Sequence, residues 1–165
     1  MEHRRCDPMS NDFLDNCNFI WKSFRNAGYV TLFAEDQENM AAFNKRHKGF
    51  KDPPTDHYFR PFVLAAEKKL QVIKKGLLSM CLGKSIYLDH IFIYLQKLMS
   101  IHEPDPFFGF VFINSISDKQ LSSSPVMDKR IATQFLKTLL ETSTNDTIFV
   151  IFSDSGKRFE DNEVS

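Results

Sequence analysis

The residues best placed to do chemistry are acidic, and they stand where strand-like runs end. The run Thr147-Ile148-Phe149-Val150-Ile151-Phe152 leads straight into Ser153-Asp154-Ser155-Gly156. β-Branched and aromatic residues without polar alternation read as a strand buried on both faces. Asp154 then sits at its carboxyl end, the edge at which open α/β sheets hold their ligands. A carboxylate followed there by an imidazole would hold a divalent cation. Ser155 takes that second position, so the sequence predicts the scaffold of a metal site with one ligand missing.

Two further groups carry chemistry. Glu35-Asp36 closes the run at 29–34 and could bind a cation or a sugar hydroxyl, while the plainer role for Asp36 is to cap a following helix. Asp56-His57 with Arg60 is the most polar cluster in a distinctive block. Asp and His can bind a metal or orient each other, and Arg can grip an anionic substrate with two parallel bonds. The structural alternative is a loop fixed by Asp56 turning back on its own backbone, with Arg60 paired to a carboxylate. His3, His47, His90 and His102 are scattered over termini and helix faces and read as solvated surface residues.

The elements that must position these groups alternate along the chain. Phe13, Cys17, Ile20, Trp21 and Phe24 recur at helical steps after a Ser10 or Asp12 cap, and Gly28 stops that helix. A strand over 29–34 and a helix over 37–47 follow. Residues 48–60 are proline-punctuated and predict a loop, and Pro61 opens a helix running towards Lys75. After a turn at 76–83, Tyr87, Ile91, Tyr94, Leu95, Leu98 and Met99 mark a helix closed before Pro104. Residues 107–116 predict a strand, 122–125 a loop, and Ile131, Phe135, Leu136, Leu139 and Leu140 a last helix before the strand at 147–153. Three strands joined by long helical crossovers imply parallel pairing, with Asp36, Ser117 and Asp154 at one sheet edge. The expected class is therefore α/β: a partial three-layer α/β/α sandwich on a short, mostly parallel sheet.

Composition narrows the function. The 165 residues suit one domain, and 42% hydrophobic content with 17 Phe argues for a packed core. Lys+Arg and Asp+Glu balance at 21 each, which gives no electrostatic reason to expect nucleic acid as a partner. No apolar run approaches the ~18 residues of a membrane span, and no signal peptide is visible. Cys6, Cys17 and Cys81 have no metal or redox spacing. Cys17 reads as buried, and one disulfide is allowed without the pair being selected.

Several blocks resemble a known family. Phe19-Ile20-Trp21-Lys22 with Gly28-Tyr29-Val30-Thr31-Leu32-Phe33-Ala34-Glu35-Asp36 resembles the first signature of the sulfatase-like domain of DUF229, an animal family. Pro54-Thr55-Asp56-His57-Tyr58-Phe59-Arg60-Pro61-Phe62 is similar to its second. Phe108-Gly109-Phe110 through Ser117, and Asn145-Asp146-Thr147 through Gly156 and Arg158, are similar to its third and fourth. The resemblance implies an alkaline-phosphatase-like core. Its chemistry would be attack on a phosphate or sulfate ester by a Thr, Ser or formylglycine oxygen beside a divalent cation, zinc, manganese or calcium. It also implies a domain lacking its N- and C-terminal parts, over 11–160, between a flexible 1–10 and a tail at 161–165.

Departures from the family pattern matter as much as the matches. The fourth block of the family reads Ser-Asp-His-Gly, and here Ser155 replaces the histidine. The third carries Ser-His-Asp, and here Ser117 is followed by Asp118 and Lys119. A hydroxyl is a poor substitute for imidazole, and a lysine would repel a neighbouring cation. The lysine that touches sulfate in well-studied sulfatases falls at Asp36, where a carboxylate would oppose a sulfate dianion. Cys6-Asp7-Pro8-Met9-Ser10 is only superficially similar to the formylglycine box, whose arginine position holds Ser10. The expectation is a truncated, non-catalytic relative that is extracellular or secreted by resemblance. The alternatives are a metal-dependent phospho- or sulfo-ester hydrolase and an extracellular interaction module.

Overall fold

The computed structural model describes residues 6, 12–39, 41–45, 47–75, 78–114, 129, 131–137 and 146–153. Helix α1 (Ile20–Asn26) turns Trp21 inward and leads to strand β1 (Val30–Glu35). Gly28, at φ +88°, ends α1: Tyr29 N–H donates to Phe24 O at 3.1 Å and Gly28 N–H to Arg25 O at 2.9 Å. These are the crossed bonds of a left-handed helix cap, which glycine adopts without a Cβ penalty. After it come β2 (His57–Tyr58), α2 (Arg60–Lys69), β3 (Val72–Lys75), β4 (Leu78–Leu82), β5 (Ser85–Ile86), α3 (Tyr87–Ile101) and β6 (Phe107–Phe112). A π-helical turn spans Ile131–Leu136.

The main sheet has the order β2-β1-β6, and both pairings are parallel. Central β1 is buried along nearly its whole length, as its unbroken apolar run requires. Alternate side chains serve opposite faces. Leu32 and Ala34 join Val63, Ala66, Leu88, Ile91 and Leu95 in the core under α2 and α3. Phe33 faces the other way and stacks on Trp21 at 5.2 Å. In β6 the same alternation sends Phe107 and Val111 to the α3 side, while Phe108 stacks on Phe24 of α1 at 4.0 Å. Helices thus cover both faces of a short parallel sheet, as expected of a partial α/β sandwich.

Several elements differ from expectation. Residues 13–19 are turns rather than helix because their backbone is committed elsewhere: Leu14 N–H donates to Gly49 O at 2.9 Å, and Cys17 is bonded to Cys6. That disulfide is the pair the sequence left open, and Cys17 is buried. Residues 41–45 make only a single turn, which drives Phe43 edge-on into Phe19 and Phe33. Gly49, at φ +74°, closes that loop where a Cβ would strike the Asn44 side chain.

Helix α2 stops at Lys69, and the β-branched pair Val72-Ile73 opens a second, antiparallel sheet of order β3-β4-β5. The chain read as a turn at 76–83 therefore contains strand β4. The third parallel strand is β2, from the proline-rich block read as loop, and not 147–153. Residues 147–153 lie outside any strand and are exposed, Ile148 at 87%. An apolar run specifies no partner, and both edges of β1 are already taken by β2 and β6. Residues Asp118, Ser117, Lys119, Asp154 and Ser155, with the loop at 122–125, lie outside the described residues. No helix among the described residues is long and apolar enough to cross a membrane.

Candidate functional site

The parallel sheet has two polar edges, and the predicted site residues among the described ones divide between them. Asp56 stands just before β2 and Arg60 just after it, so a strand of two residues sends them to opposite ends. The carboxyl edge gathers Glu35, Asp36 and Arg60. The amino edge gathers Asp56 and His57.

At the carboxyl edge the groups are deeply buried. Asp36 is fully buried, and its Oδ1 accepts the Asn114 N–H at 2.7 Å. It therefore ties the end of β1 to the end of β6, and it caps no helix, since residues 37–39 continue without one. Glu35 is 2% exposed; its Oε1 accepts the Ala42 N–H at 2.6 Å, while Oε2 has no partner among the described residues. Burial pushes the Glu35 carboxyl up to about 7, and the neighbouring Asp36 charge adds to the rise. The Ala42 N–H and the Arg60 guanidinium act in the opposite sense. Arg60 Nη1 donates to the Glu38 carbonyl at 3.2 Å. Tyr58 is pushed up to about 12, chiefly by burial, and burial raises Tyr87 further, with the Glu67, Glu38 and Asp36 charges adding to it. Tyr87 Oη donates to Val63 O at 3.3 Å. This edge therefore holds a buried carboxyl raised towards neutrality, with the Arg60 charge near enough to oppose the rise.

At the amino edge Asp56 is a latch. Its Oδ2 accepts the Thr31 N–H at 2.9 Å and the Thr31 hydroxyl at 2.6 Å, and Arg25 Nε lies 3.5 Å from Oδ1. Burial works to raise its pKa, but the Thr31 bonds and the Arg25 charge outweigh it and hold the carboxylate below its ordinary range. The backbone partner is Thr31 rather than the loop itself, so the block is pinned to β1 over a separation of 25 residues. His57 Nε2 stands 2.9 Å from His102 Nε2. Burial, then the second imidazole, lowers the His57 pKa, with Asp56 partly offsetting them. His102, read as a solvated surface residue, is in fact half-buried and paired. Its only local signal is Asp105 three residues on, with Nδ1 3.9 Å from Asp105 Oδ2.

Among the described residues no three His, Cys, Asp or Glu side chains are grouped to hold a metal ion. Fold and edges together define a mixed α/β protein built on a short parallel sheet, with a buried acidic corner at its carboxyl end. The chain matches the family model described as "Protein of unknown function (DUF229)" over residues 1–164, and it belongs to that family. No curated protein and no solved structure matches it.

Proposed function

We propose that this chain is an extracellular, non-catalytic relative of the sulfatase-like, alkaline-phosphatase-like hydrolases. The observation that carries the reading is how the acidic side chains are used. Asp36 is bonded to the Asn114 backbone, Glu35 to the Ala42 backbone and Asp56 to Thr31. Groups spent on holding strand ends together are struts before they are ligands. Asp118 and Ser155, at positions where the resembling family carries histidines, point the same way. The Cys6–Cys17 disulfide supports an oxidising compartment outside the cell.

The test is an ester-hydrolysis assay with zinc, manganese or calcium added. The expected result is no turnover of aryl phosphate or aryl sulfate. Ser155→His combined with Asp118→His should add a zinc equivalent in calorimetric titration, since the two imidazoles restore the donors that the resembling family carries at these positions. Turnover should still be absent, because the variant gains two metal ligands and no nucleophile. Metal-dependent turnover by the wild type would overturn the reading, and an unchanged zinc stoichiometry would remove Asp154 as a metal-site remnant.

An interaction module is the second reading, favoured by one observation. Ile148, Val150, Ile151 and Phe152 are each at least 69% exposed and adjacent in sequence. Contiguous apolar exposure of that kind marks contact surfaces. Sedimentation velocity should then show concentration-dependent association that Ile148→Lys with Val150→Lys abolishes. A monomer at every concentration would dispose of it.

A further inference from the structure

His57 and His102 come together from positions 45 residues apart in the chain. His57 opens β2, and His102 closes α3, its N–H donating to Leu98 O at 3.0 Å. Their Nε2 atoms converge to 2.9 Å, and Asp105 Oδ2 stands 3.9 Å from the other ring nitrogen of His102. The Tyr94 ring lies edge-on to His57, 6.5 Å between centroids.

The chemistry of that convergence is narrow. Two ring nitrogens 2.9 Å apart share a proton, and slightly further apart they can share a metal ion instead. Asp105 Oδ2, 3.9 Å from His102 Nδ1, is too far to bond it, but its charge favours a proton on that atom and so a lone pair on the Nε2 that faces His57. Closing that gap to hydrogen-bond distance would give the arrangement by which carboxylates orient metal-binding histidines. Zinc bonds of roughly 2.0–2.1 Å at a tetrahedral angle would set the nitrogens about 3.3 Å apart. The two rings would therefore need to part by about 0.4 Å from their present separation. A displacement of that size is within reach of a ring at a helix end. The His102 side chain is 22% exposed, so water can reach the site and fill the remaining coordination positions.

We propose that His57 and His102 form a two-imidazole seat for a zinc-class cation between β2 and the end of α3, with Asp105 as a positioning residue. Imidazole donors favour zinc, cobalt, nickel or copper over magnesium and calcium. The seat lies at the amino edge of the sheet, where β6 begins, away from Asp36 and Asn114 at the other end. It is independent of the non-catalytic reading above and survives or fails separately from it.

The experiment is calorimetric titration of zinc into the full chain and into His57→Gln, His102→Gln and Asp105→Asn, each first checked for a wild-type circular dichroism spectrum. The wild type should bind zinc, and each glutamine variant should lose at least tenfold in affinity, on the order of one lost ligand. Asp105→Asn should weaken binding by roughly tenfold while leaving the stoichiometry unchanged. In the unmutated protein the imidazole resonances of His57 and His102 should shift together on adding zinc, while those of His47 and His90 stay in place. That spectrum decides the matter even where a variant does not fold. No zinc binding by the wild type, wild-type affinity retained in both glutamine variants, or shifts confined to other histidines would each overturn the proposal.

Discussion

Trp21→Ala should destabilise the protein by about 3–5 kcal/mol, the usual cost of emptying a large aromatic site in a core. Trp21 is 2% exposed and is the hub of the aromatic layer on one face of the parallel sheet. Its ring stacks on Phe19 at 4.4 Å and on Phe33 at 5.2 Å, and meets Phe43 and Phe50 edge-on at 6.0 and 6.1 Å. Phe110 of β6 lies 5.9 Å away, so a single side chain joins α1, β1, β6 and the loop at 41–50. Four elements cannot all collapse into the same void, which places the expected loss high in the range. Trp21→Phe should cost far less, about 1 kcal/mol, because it keeps much of the volume. The indole Nε1 has no acceptor among the described residues, so its loss forfeits no hydrogen bond. Urea unfolding gives both values if the slope against denaturant is unchanged. An alanine variant within 1 kcal/mol of wild type, on the order of an ordinary surface change, would mean that the layer is not built around Trp21.

How far sequence reveals this fold depends on whether a segment's partner is local. Helix α3 is legible because Tyr87, Leu88, Ile91, Leu95 and Leu98 return to one face and Pro104 follows. Strands β1 and β6 are legible because runs such as Phe107–Phe112 have nowhere to go but a buried sheet. Strand β2 is not legible, since two residues in a proline-rich block carry no periodicity and gain strand geometry only from register against Leu32 and Phe33. The helix expected from Phe13 to Gly28 forms only from Ile20 onward, and its first half fails for the same reason in reverse. Asp15 accepts backbone N–H groups of Lys51 and Asp52 at 2.9–3.1 Å, bonds that no pattern within residues 13–24 encodes. The antiparallel strands at 72–86 were hidden by an apolar run that suited a longer α2.

The candidate site was legible in part. Glu35 and Asp36 are legible as acidic residues at the end of an apolar run, and the structure adds to them Arg60, which the sequence groups instead with Asp56 and His57. Asp56 and His57 were grouped with Arg60 by sequence proximity alone, and a strand between them carried them apart. His102 was missed because its partner is 45 residues away and local spacing holds no trace of it.

Glu35 should give the stability curve an unusual slope between pH 5 and 8. Its carboxyl has an ordinary value of 4.5 and is raised to about 7 in the folded chain, mainly by burial. Over that interval the native state keeps a proton that the unfolded state has already released. Native binding of the extra proton means that stability falls as pH rises. Below 4.5 the carboxyl is protonated in both states and its contribution is fully present, and above about 7 it is lost. The loss integrates to about 3 kcal/mol. His57 works against it, since a folded imidazole held below 6.5 lets stability grow as pH rises through that value. The clean measurement is therefore a difference. Glu35→Gln keeps an oxygen to accept the Ala42 N–H and cannot ionise, so it retains every other titration and deletes this one. Urea unfolding at pH 5, 6, 7 and 8 should show wild type losing stability relative to the variant by about 3 kcal/mol across the series. Parallel curves for the two proteins would mean that Glu35 titrates as an ordinary solvated carboxylate and that the acidic corner is open to water.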